Sequence, residues 1–385
     1  MRNRLLIPVV VLVLAVGLLP PAIARAGGPP PTATSQETLF VNFGDFRSRA
    51  VLSYPLAGPS RHPTVLLIPG GPGPVDLNAD IGMPLLSHIF LDIARFLTPR
   101  GFAVLRYNKH YVTSYTQVDD RSYHTKLDLP GRTETVAAHD AEQVLRAAEA
   151  NPHVDPRHIF LYGWSEGSTV AAALAVRHPE LAGLIVQGPH SVPWPAVIRY
   201  RYTEVGLPYL RRFAPDGRVT NRALQQAVAG NGGLVARFHV LAFADPSKTS
   251  GPPVIDPHLD ANHDGAIEID TEFLPRLDAL IDSLFRPGGD LFSVSPGHGL
   301  PIVTAQAPRL RLPVLILQGA NDANVPARGA RVLNAALAGN PDHTLLVYQG
   351  LGHSLGPAAS VIDDNFRPIA PAPLIDLTSW LRRHT

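Results

Sequence analysis

A Gly-x-Ser-x-Gly turn, residues 163–167, lies between a strand-like apolar run and an alanine-rich, helix-like run. A tight turn from strand to helix holds its central residue in a strained backbone, and small flanking residues let the two elements approach. The hydroxyl of Ser165 would then stand above the end of the strand, where the first amides of the helix favour negative charge. This context predicts that Ser165 is a nucleophile.

A serine nucleophile requires a general base, and the base requires a carboxylate that orients it. Asp322 and His353 each stand in a loop that follows a strand-like apolar run. The carboxyl ends of parallel strands meet at one edge of an open sheet, so we expect both side chains near Ser165. Asp322 has an alternative interpretation as a turn or capping residue, and Asp363 and Asp364 are then the reserve carboxylates.

The elements that would position these loops follow a regular order. Short apolar strands alternate with helical stretches over residues 37–189, and the alternation returns over residues 309–385. Such alternation predicts an α/β domain with a mostly parallel sheet and helices on both faces. Residues 190–308 break the pattern and predict a largely helical cap insert. Five aromatic residues at its start either roof an apolar pocket or pack the cap onto the domain: Trp194, Tyr200, Tyr202, Tyr209 and Phe213.

The composition excludes several kinds of chemistry. None of the 385 residues is cysteine, which excludes disulfides, thiolate catalysis and cysteine-ligated metals. The formal net charge is +1, so the chain offers no broad electrostatic field for nucleic acid. With 45% hydrophobic residues, the chain can bury a large core.

Three loop motifs together resemble those of the α/β-hydrolase fold superfamily. They are GWSEG, GANDANVP and GLGHS, each after a strand-like run, and the resemblance covers residues 37–189 and 309–385. Within the superfamily, the chain is similar to exported bacterial hydrolases grouped near serine aminopeptidases and dienelactone-hydrolase-like esterases. The resemblance implies that Ser165 is the nucleophile, that His353 acts as general base and then acid, and that Asp322 orients His353.

A glycine-rich turn, residues 69–74, follows another buried strand-like run. In the superfamily this turn often begins His-Gly and supplies one N–H to the oxyanion, while the residue after the nucleophile supplies the other. The resemblance therefore implies Glu166 as one donor. For the other donor two registers compete, and the chemistry selects Gly71 because Pro72 has no N–H. Pro69 stands where proline iminopeptidases have a bracing histidine, which weakens a peptidase assignment.

Residues 260–268 fit the first nine positions of an EF-hand-type loop. Oxygen ligands at alternate positions and a glycine at the sharp turn are what a hard cation needs. The twelfth position holds Thr271 instead of a bidentate glutamate, so a solvated acidic loop is the alternative interpretation. The pattern predicts a structural calcium ion, and no cofactor for catalysis, with these ligands: Asp260, Asn262, Asp264, Ala266 and Glu268.

The N-terminal residues have the pattern of a secretory signal. Two arginines precede an apolar run from Leu5 to Leu19, and Ala-Arg-Ala follows at residues 24–26. This pattern predicts a signal peptide over residues 1–26 and a flexible leader over residues 27–36. The apolar run is shorter than the ~20 residues that span a bilayer, and an uncleaved anchor is the alternative. We therefore expect a secreted or periplasmic protein without stable membrane insertion after cleavage.

These features predict an enzyme that cleaves a small-molecule carboxylic ester through an acyl-enzyme. A peptidase or amidase on the same three residues is the nearest alternative, in which Glu204 would bind a substrate amine as acidic cap residues do in serine aminopeptidases. A serine at the turn, rather than an aspartate, argues against the dehalogenases and epoxide hydrolases of the superfamily. An alternative of a different class is a binding protein that kept the fold without turnover.

Overall fold

The computed structural model describes residues 33–81, 87–114, 117–118, 127, 129 and 132–385. The predicted signal peptide and most of the predicted leader lie outside these ranges. Within the ranges, no helix combines the length and the apolar character needed to cross a bilayer.

Eight strands of the described chain form one sheet in the order β1-β2-β4-β3-β5-β6-β7-β8. Strand β2 pairs antiparallel with both of its neighbours, and every other pair from β4 to β8 is parallel. This arrangement confirms the predicted mostly parallel sheet. The strands are β1 (Thr34–Asn42), β2 (Arg47–Pro55), β3 (His62–Ile68), β4 (Ala103–Tyr107), β5 (Val154–Trp164), β6 (Gly183–Gln187), β7 (Val314–Gly319) and β8 (His343–Tyr348).

Helices cover both faces of the sheet, as predicted. On one face lie α1 (Ile89–Leu97) and α11 (Pro371–Arg383); on the other lie α2 (Arg132–Glu149), α3 (Gly167–Arg177) and α10 (Arg328–Ala336). The central strands are apolar along their length because successive side chains enter opposite cores. In β5, Phe160 and Tyr162 enter the first core, and Ile159 and Leu161 enter the second.

Two boundaries differ from the sequence-based ones. Strand β1 begins at Thr34, so the last residues of the predicted leader belong to the sheet. Val303 and Ala307 already pack in the core of the main domain, so the chain returns to that core before residue 309. In both places turn-forming residues stand at the boundary, so the sequence pattern does not reveal where ordered packing begins.

The insert is built from short helices and irregular turns. Its core is continuous with the α1 face of the sheet, and Phe243 and Phe273 stack within it with ring centroids 4.1 Å apart. A two-stranded pair, Arg218–Thr220 and Ala266–Glu268, ties its two halves together. The helices of the insert are α4 (Trp194–Tyr200), α5 (Leu207–Leu210), α6 (Asn221–Ala229), α7 (Leu234–His239) and α8 (Leu277–Leu284). Helix α9 (Val303–Gln306) follows where the chain has returned to the core of the main domain.

Candidate active site

Ser165 occupies a strained turn between β5 and α3. Its φ is +55°, a conformation that non-glycine residues rarely adopt. The turn closes this tightly because its flanking residues have no side chains. A Cβ at Gly163 would lie 2.6 Å from the carbonyl oxygen of Gly167, and a Cβ at Gly167 would lie 2.4 Å from the carbonyl oxygen of Ile68. The backbone geometry is therefore that of the predicted nucleophile turn.

The imidazole of His353 and the carboxylate of Asp322 form a buried hydrogen bond, with Nδ1 and Oδ2 2.8 Å apart. Asp322 also accepts a hydrogen bond from the side-chain amide of Gln318. It accepts two more from the backbone amides of Asn324 and Val325, at 2.8 and 2.9 Å. These donors fix the orientation of the carboxylate. When Nδ1–H donates to Asp322, Nε2 is the acceptor nitrogen of the ring.

The end of β6 connects the serine turn to this pair. The amide of Ser165 donates to the carbonyl of Gln187 at 2.8 Å. A Cβ on the next residue, Gly188, would lie 2.8 Å from the His353 ring and 3.2 Å from the Asp322 carboxylate. The predicted Ser165, Asp322 and His353 thus meet at the carboxyl edge of the sheet. The serine hydroxyl and the imidazole are not hydrogen-bonded to each other, which is common in unliganded catalytic sites.

Neither reserve carboxylate contacts the imidazole. Asp364 is fully buried, and its Oδ2 accepts the backbone amides of His353 at 2.9 Å and of Ala323 at 3.0 Å. Burial, followed by the nearby charge of Asp322, raises the pKa of Asp364 to about 6. Asp363 is partly exposed. Asp364 therefore ties together the backbones of the two loops that carry Asp322 and His353, a role that no sequence motif signals.

The glycine-rich turn after β3 packs directly on the serine turn. A Cβ at Gly70 would lie 2.8 Å from the Cβ of Ser165 and 3.2 Å from the amide nitrogen of Glu166. Gly71 follows with a φ of +75°, in the left-handed region that favours glycine. The two predicted oxyanion donors, the amides of Gly71 and Glu166, therefore belong to two backbone segments in contact beside Ser165.

Two buried carboxyl groups lie behind the serine turn. Glu166 is 4% exposed, its Oε1 has no hydrogen-bond partner among the residues that the structure describes, and burial raises its pKa. Burial, followed by the nearby Glu166, raises the pKa of Glu134 to about 8. The Oε2 atom of Glu134 accepts the amide of Leu300.

The insert supports the loop that carries Asp322. The hydroxyl of Tyr200 donates to the backbone carbonyl of Asp322 at 2.5 Å, and Nε of Arg201 donates to the carbonyl of Asn324 at 2.8 Å. Of the five aromatic residues at the start of the insert, Tyr200 therefore holds the insert against the main domain, whereas Tyr202 and Tyr209 contact other residues of the insert. Sequence reasoning missed the tyrosine hydroxyl because its partner lies 122 residues away in the chain.

The predicted calcium loop is closed by hydrogen bonds to its own backbone. Asp260 accepts the amides of Asp264 and Gly265, and the hydroxyl of Thr271 donates to Glu268. Glu272, one residue beyond the twelfth position of the EF-hand pattern, accepts hydrogen bonds from the amides of Ala261, Asn262 and Glu268. Among the described residues, no group of three or more histidine, aspartate or glutamate side chains is arranged to hold a metal ion. Calcium at this loop stays a prediction.

Comparison with known proteins identifies the fold. No family model matches the sequence, and no curated protein matches it at the sequence level. The structure is similar to the crystal structure of proline iminopeptidase from Mycobacterium smegmatis, with 18% identity and a TM-score of 0.51 over 90% of this chain and 98% of that one. It is also similar to VinJ, with 17% identity and a TM-score of 0.50 over 92% of this chain and 100% of that one. The chain has the α/β-hydrolase fold.

Proposed function

We propose that this chain is an exported serine hydrolase that cleaves carboxylic esters through an acyl-enzyme. The observation that carries the proposal is the buried hydrogen bond between His353 and Asp322 beside a serine held at a φ of +55°. The strained backbone at Ser165 destabilises the folded state, and packing alone does not require it. Strain of this kind clusters at active sites. The fold supports only the coarser part of the proposal, a hydrolase, because one of the similar structures is that of a peptidase.

In the proposed reaction, the Oγ of Ser165 attacks the ester carbonyl carbon while its proton passes to Nε2 of His353. The carbonyl electron pair moves onto oxygen, and the amides of Gly71 and Glu166 stabilise that oxyanion. When the tetrahedral intermediate collapses, the alcohol leaves with the proton from His353, and Ser165 carries the acyl group. Water then repeats the same steps to release the acid, and Asp322 stabilises the imidazolium in both halves.

The preference for esters over amides rests on two departures from a peptidase. Glu204, the residue that would bind a substrate amine, is about half exposed and forms a 2.8 Å ion pair with Arg328 at the surface. Pro69 replaces the histidine of the iminopeptidase turn. A peptidase or amidase on the same three residues is the second candidate, favoured by the likeness to a proline iminopeptidase.

A substrate panel separates these candidates. Purified protein lacking residues 1–26 would be assayed with p-nitrophenyl esters of increasing acyl length and with aminoacyl arylamides, beside Ser165→Ala. We expect turnover of esters, loss of turnover in Ser165→Ala, and kcat/KM for arylamides at least about 100-fold lower, a difference of roughly 2.7 kcal/mol in activation free energy. Higher kcat/KM for the arylamides would reverse the assignment. No turnover by folded protein on either class would favour the binding-protein alternative.

A further inference from the structure

Lys109 lies two residues beyond the end of β4 and is buried beneath the glycine-rich turn. Its Nζ donates to the carbonyl oxygen of Gly71 at 2.5 Å and to that of Gly73 at 3.1 Å. Its backbone amide donates to the carbonyl of Val75 at 3.1 Å. Lys109 therefore donates hydrogen bonds to three backbone carbonyls within one stretch of seven residues, 69–75.

A buried ammonium group is unfavourable unless other groups compensate for its lost hydration. Only 6% of Lys109 is exposed, and burial lowers its pKa. Among the described residues, no carboxylate forms a salt bridge with it. The charges that stabilise the ammonium act from a greater distance, Glu166 first and then Asp140 and Glu134. The direct partners of this cation are thus the backbone carbonyls of the turn.

Lys109 interacts with both residues that carry the proposed oxyanion donors, Gly71 and Glu166. Its ammonium holds the peptide carbonyl of Gly71, whose own amide is the first donor. The compensating charge with the largest effect on Lys109 is the side chain of Glu166, whose amide is the second donor. Pro69 cannot supply a side-chain brace for this turn, and Lys109 supplies one through its hydrogen bonds to Gly71 and Gly73.

We propose that Lys109 is a positioning residue that holds the oxyanion hole in shape; the inference rests on the proposed function. The ammonium fixes the peptide groups of the turn through their carbonyl oxygens, which the reaction does not use. The amide of Gly71 then needs no rearrangement when negative charge develops on the substrate oxygen. A residue with this role affects the transition state more than it affects substrate binding.

The test uses Lys109→Met, which keeps the length of the side chain and removes the donor, and Lys109→Arg, which keeps a cation with several donors. Lys248→Met serves as the control because Lys248 is exposed in the cap. Each protein is assayed with a p-nitrophenyl ester and labelled with a fluorophosphonate, and its folding is checked by circular dichroism and thermal unfolding. The rate of Ser165 labelling is a second readout because the phosphonyl oxygen occupies the same site.

For Lys109→Met we expect kcat and the labelling rate to fall about 10- to 100-fold with KM changed less than about threefold, a smaller loss than the ~10²–10³ that follows removal of a donor itself. Lys109→Arg should recover at least part of the kcat, and Lys248→Met should match the wild type. A folded Lys109→Met with wild-type kcat and labelling rate would overturn the inference. So would a loss that appears mainly in KM, or an arginine variant no better than methionine.

Lys109→Met leaves Glu166 without its compensating charge, so this variant has a specific route to misfolding. The double variant Lys109→Met/Glu166→Gln removes both charges and is compared with Glu166→Gln alone by the same measurements. A double variant as active as Glu166→Gln overturns the inference. A wild-type protein that is folded but unlabelled at Ser165 contradicts the proposed function, and this inference falls with it. A labelled wild type beside an unaffected Lys109 variant contradicts the inference alone.

Discussion

The loops that surround the candidate site are held by two opposite charges, which act on opposite kinds of backbone group. One is the ammonium of Lys109, which binds the carbonyls of Gly71 and Gly73. The other is the carboxylate of Asp364, which binds the amides of His353 and Ala323. In the proposed reaction, the ammonium leaves the amides of the glycine-rich turn for the oxyanion. The Asp364 carboxylate binds backbone amides of the two loops whose side chains would move and stabilise the proton. Each loop is thus held through backbone groups that the proposed reaction does not need.

The largest expected effect is a loss of kcat on mutation of Asp322. Comparison with Asp364 distinguishes a carboxylate that orients the imidazole from one that supports the backbone. Asp322→Asn replaces the acceptor of the Nδ1–H bond and favours the wrong tautomer of His353, so we expect kcat to fall about 10⁴-fold, as at comparable triads. Asp364→Asn keeps an oxygen acceptor for the two amides and should cost less than about tenfold. Steady-state kinetics on a p-nitrophenyl ester would measure both. Equal losses in the two variants would contradict the division of roles.

Neighbouring glycines provide a second contrast, on the Lys109 side. A Cβ at Gly70 would lie 2.2 Å from the carbonyl oxygen of Trp164 and 2.8 Å from the Cβ of Ser165. We expect Gly70→Ala to displace the turn and lower kcat about 100-fold. At Gly71 the nearest atom to an added Cβ is 3.8 Å away, so Gly71→Ala meets only the backbone strain of a positive φ, roughly 1–2 kcal/mol.

Kinetics and thermal unfolding of the two alanine variants would show whether the costs separate in this way. Gly70→Ala should lose mainly activity, and Gly71→Ala mainly stability. If Gly70→Ala kept wild-type kcat, the contact between the glycine turn and the serine turn would have no role in catalysis.

A third, smaller effect is a pH dependence from Asp364. Because its pKa is about 6 in the folded protein and near 3.8 when exposed, the folded state holds its proton more tightly. Its contribution to the free energy of unfolding is fully present below pH 3.8 and is lost as pH rises to about 6. The wild type should therefore lose stability relative to Asp364→Asn across this interval. Thermal unfolding from pH 4 to 7 measures the difference, with Asp363→Asn as the control.

The smallest expected effect concerns the cap. If the 260–268 loop binds calcium with a Kd near 1 mM, 10 mM calcium stabilises the folded state by about 1.4 kcal/mol. That corresponds to a rise in Tm of roughly 2–4 °C. Asp264→Asn should remove the rise, and excess chelator added to the calcium-containing sample should reverse it. An unchanged Tm in calcium and in chelator would reduce this segment to a hydrogen-bonded acidic loop.

Residue pattern alone predicted the sheet and the placement of Ser165, Asp322 and His353 at its edge. Strands and their following loops are local features, and parallel order brings the loop residues together. The supports of the site were not predictable in this way. Lys109 and Asp364 act on backbone groups far away in sequence, and a single buried charge leaves no periodic or spaced signature. The residue pattern also did not predict that Glu204 forms an ion pair with Arg328 at the surface.

The most direct test of the proposed function is labelling of the folded protein with a fluorophosphonate, followed by intact mass and peptide mapping, beside Ser165→Ala. The proposal predicts a single adduct, located on Ser165 and absent from the variant. It also predicts that Asp322→Asn slows labelling far more than Asp364→Asn. Folded protein that forms no adduct, or an adduct that maps to another residue, would contradict the assignment of Ser165 as an activated nucleophile.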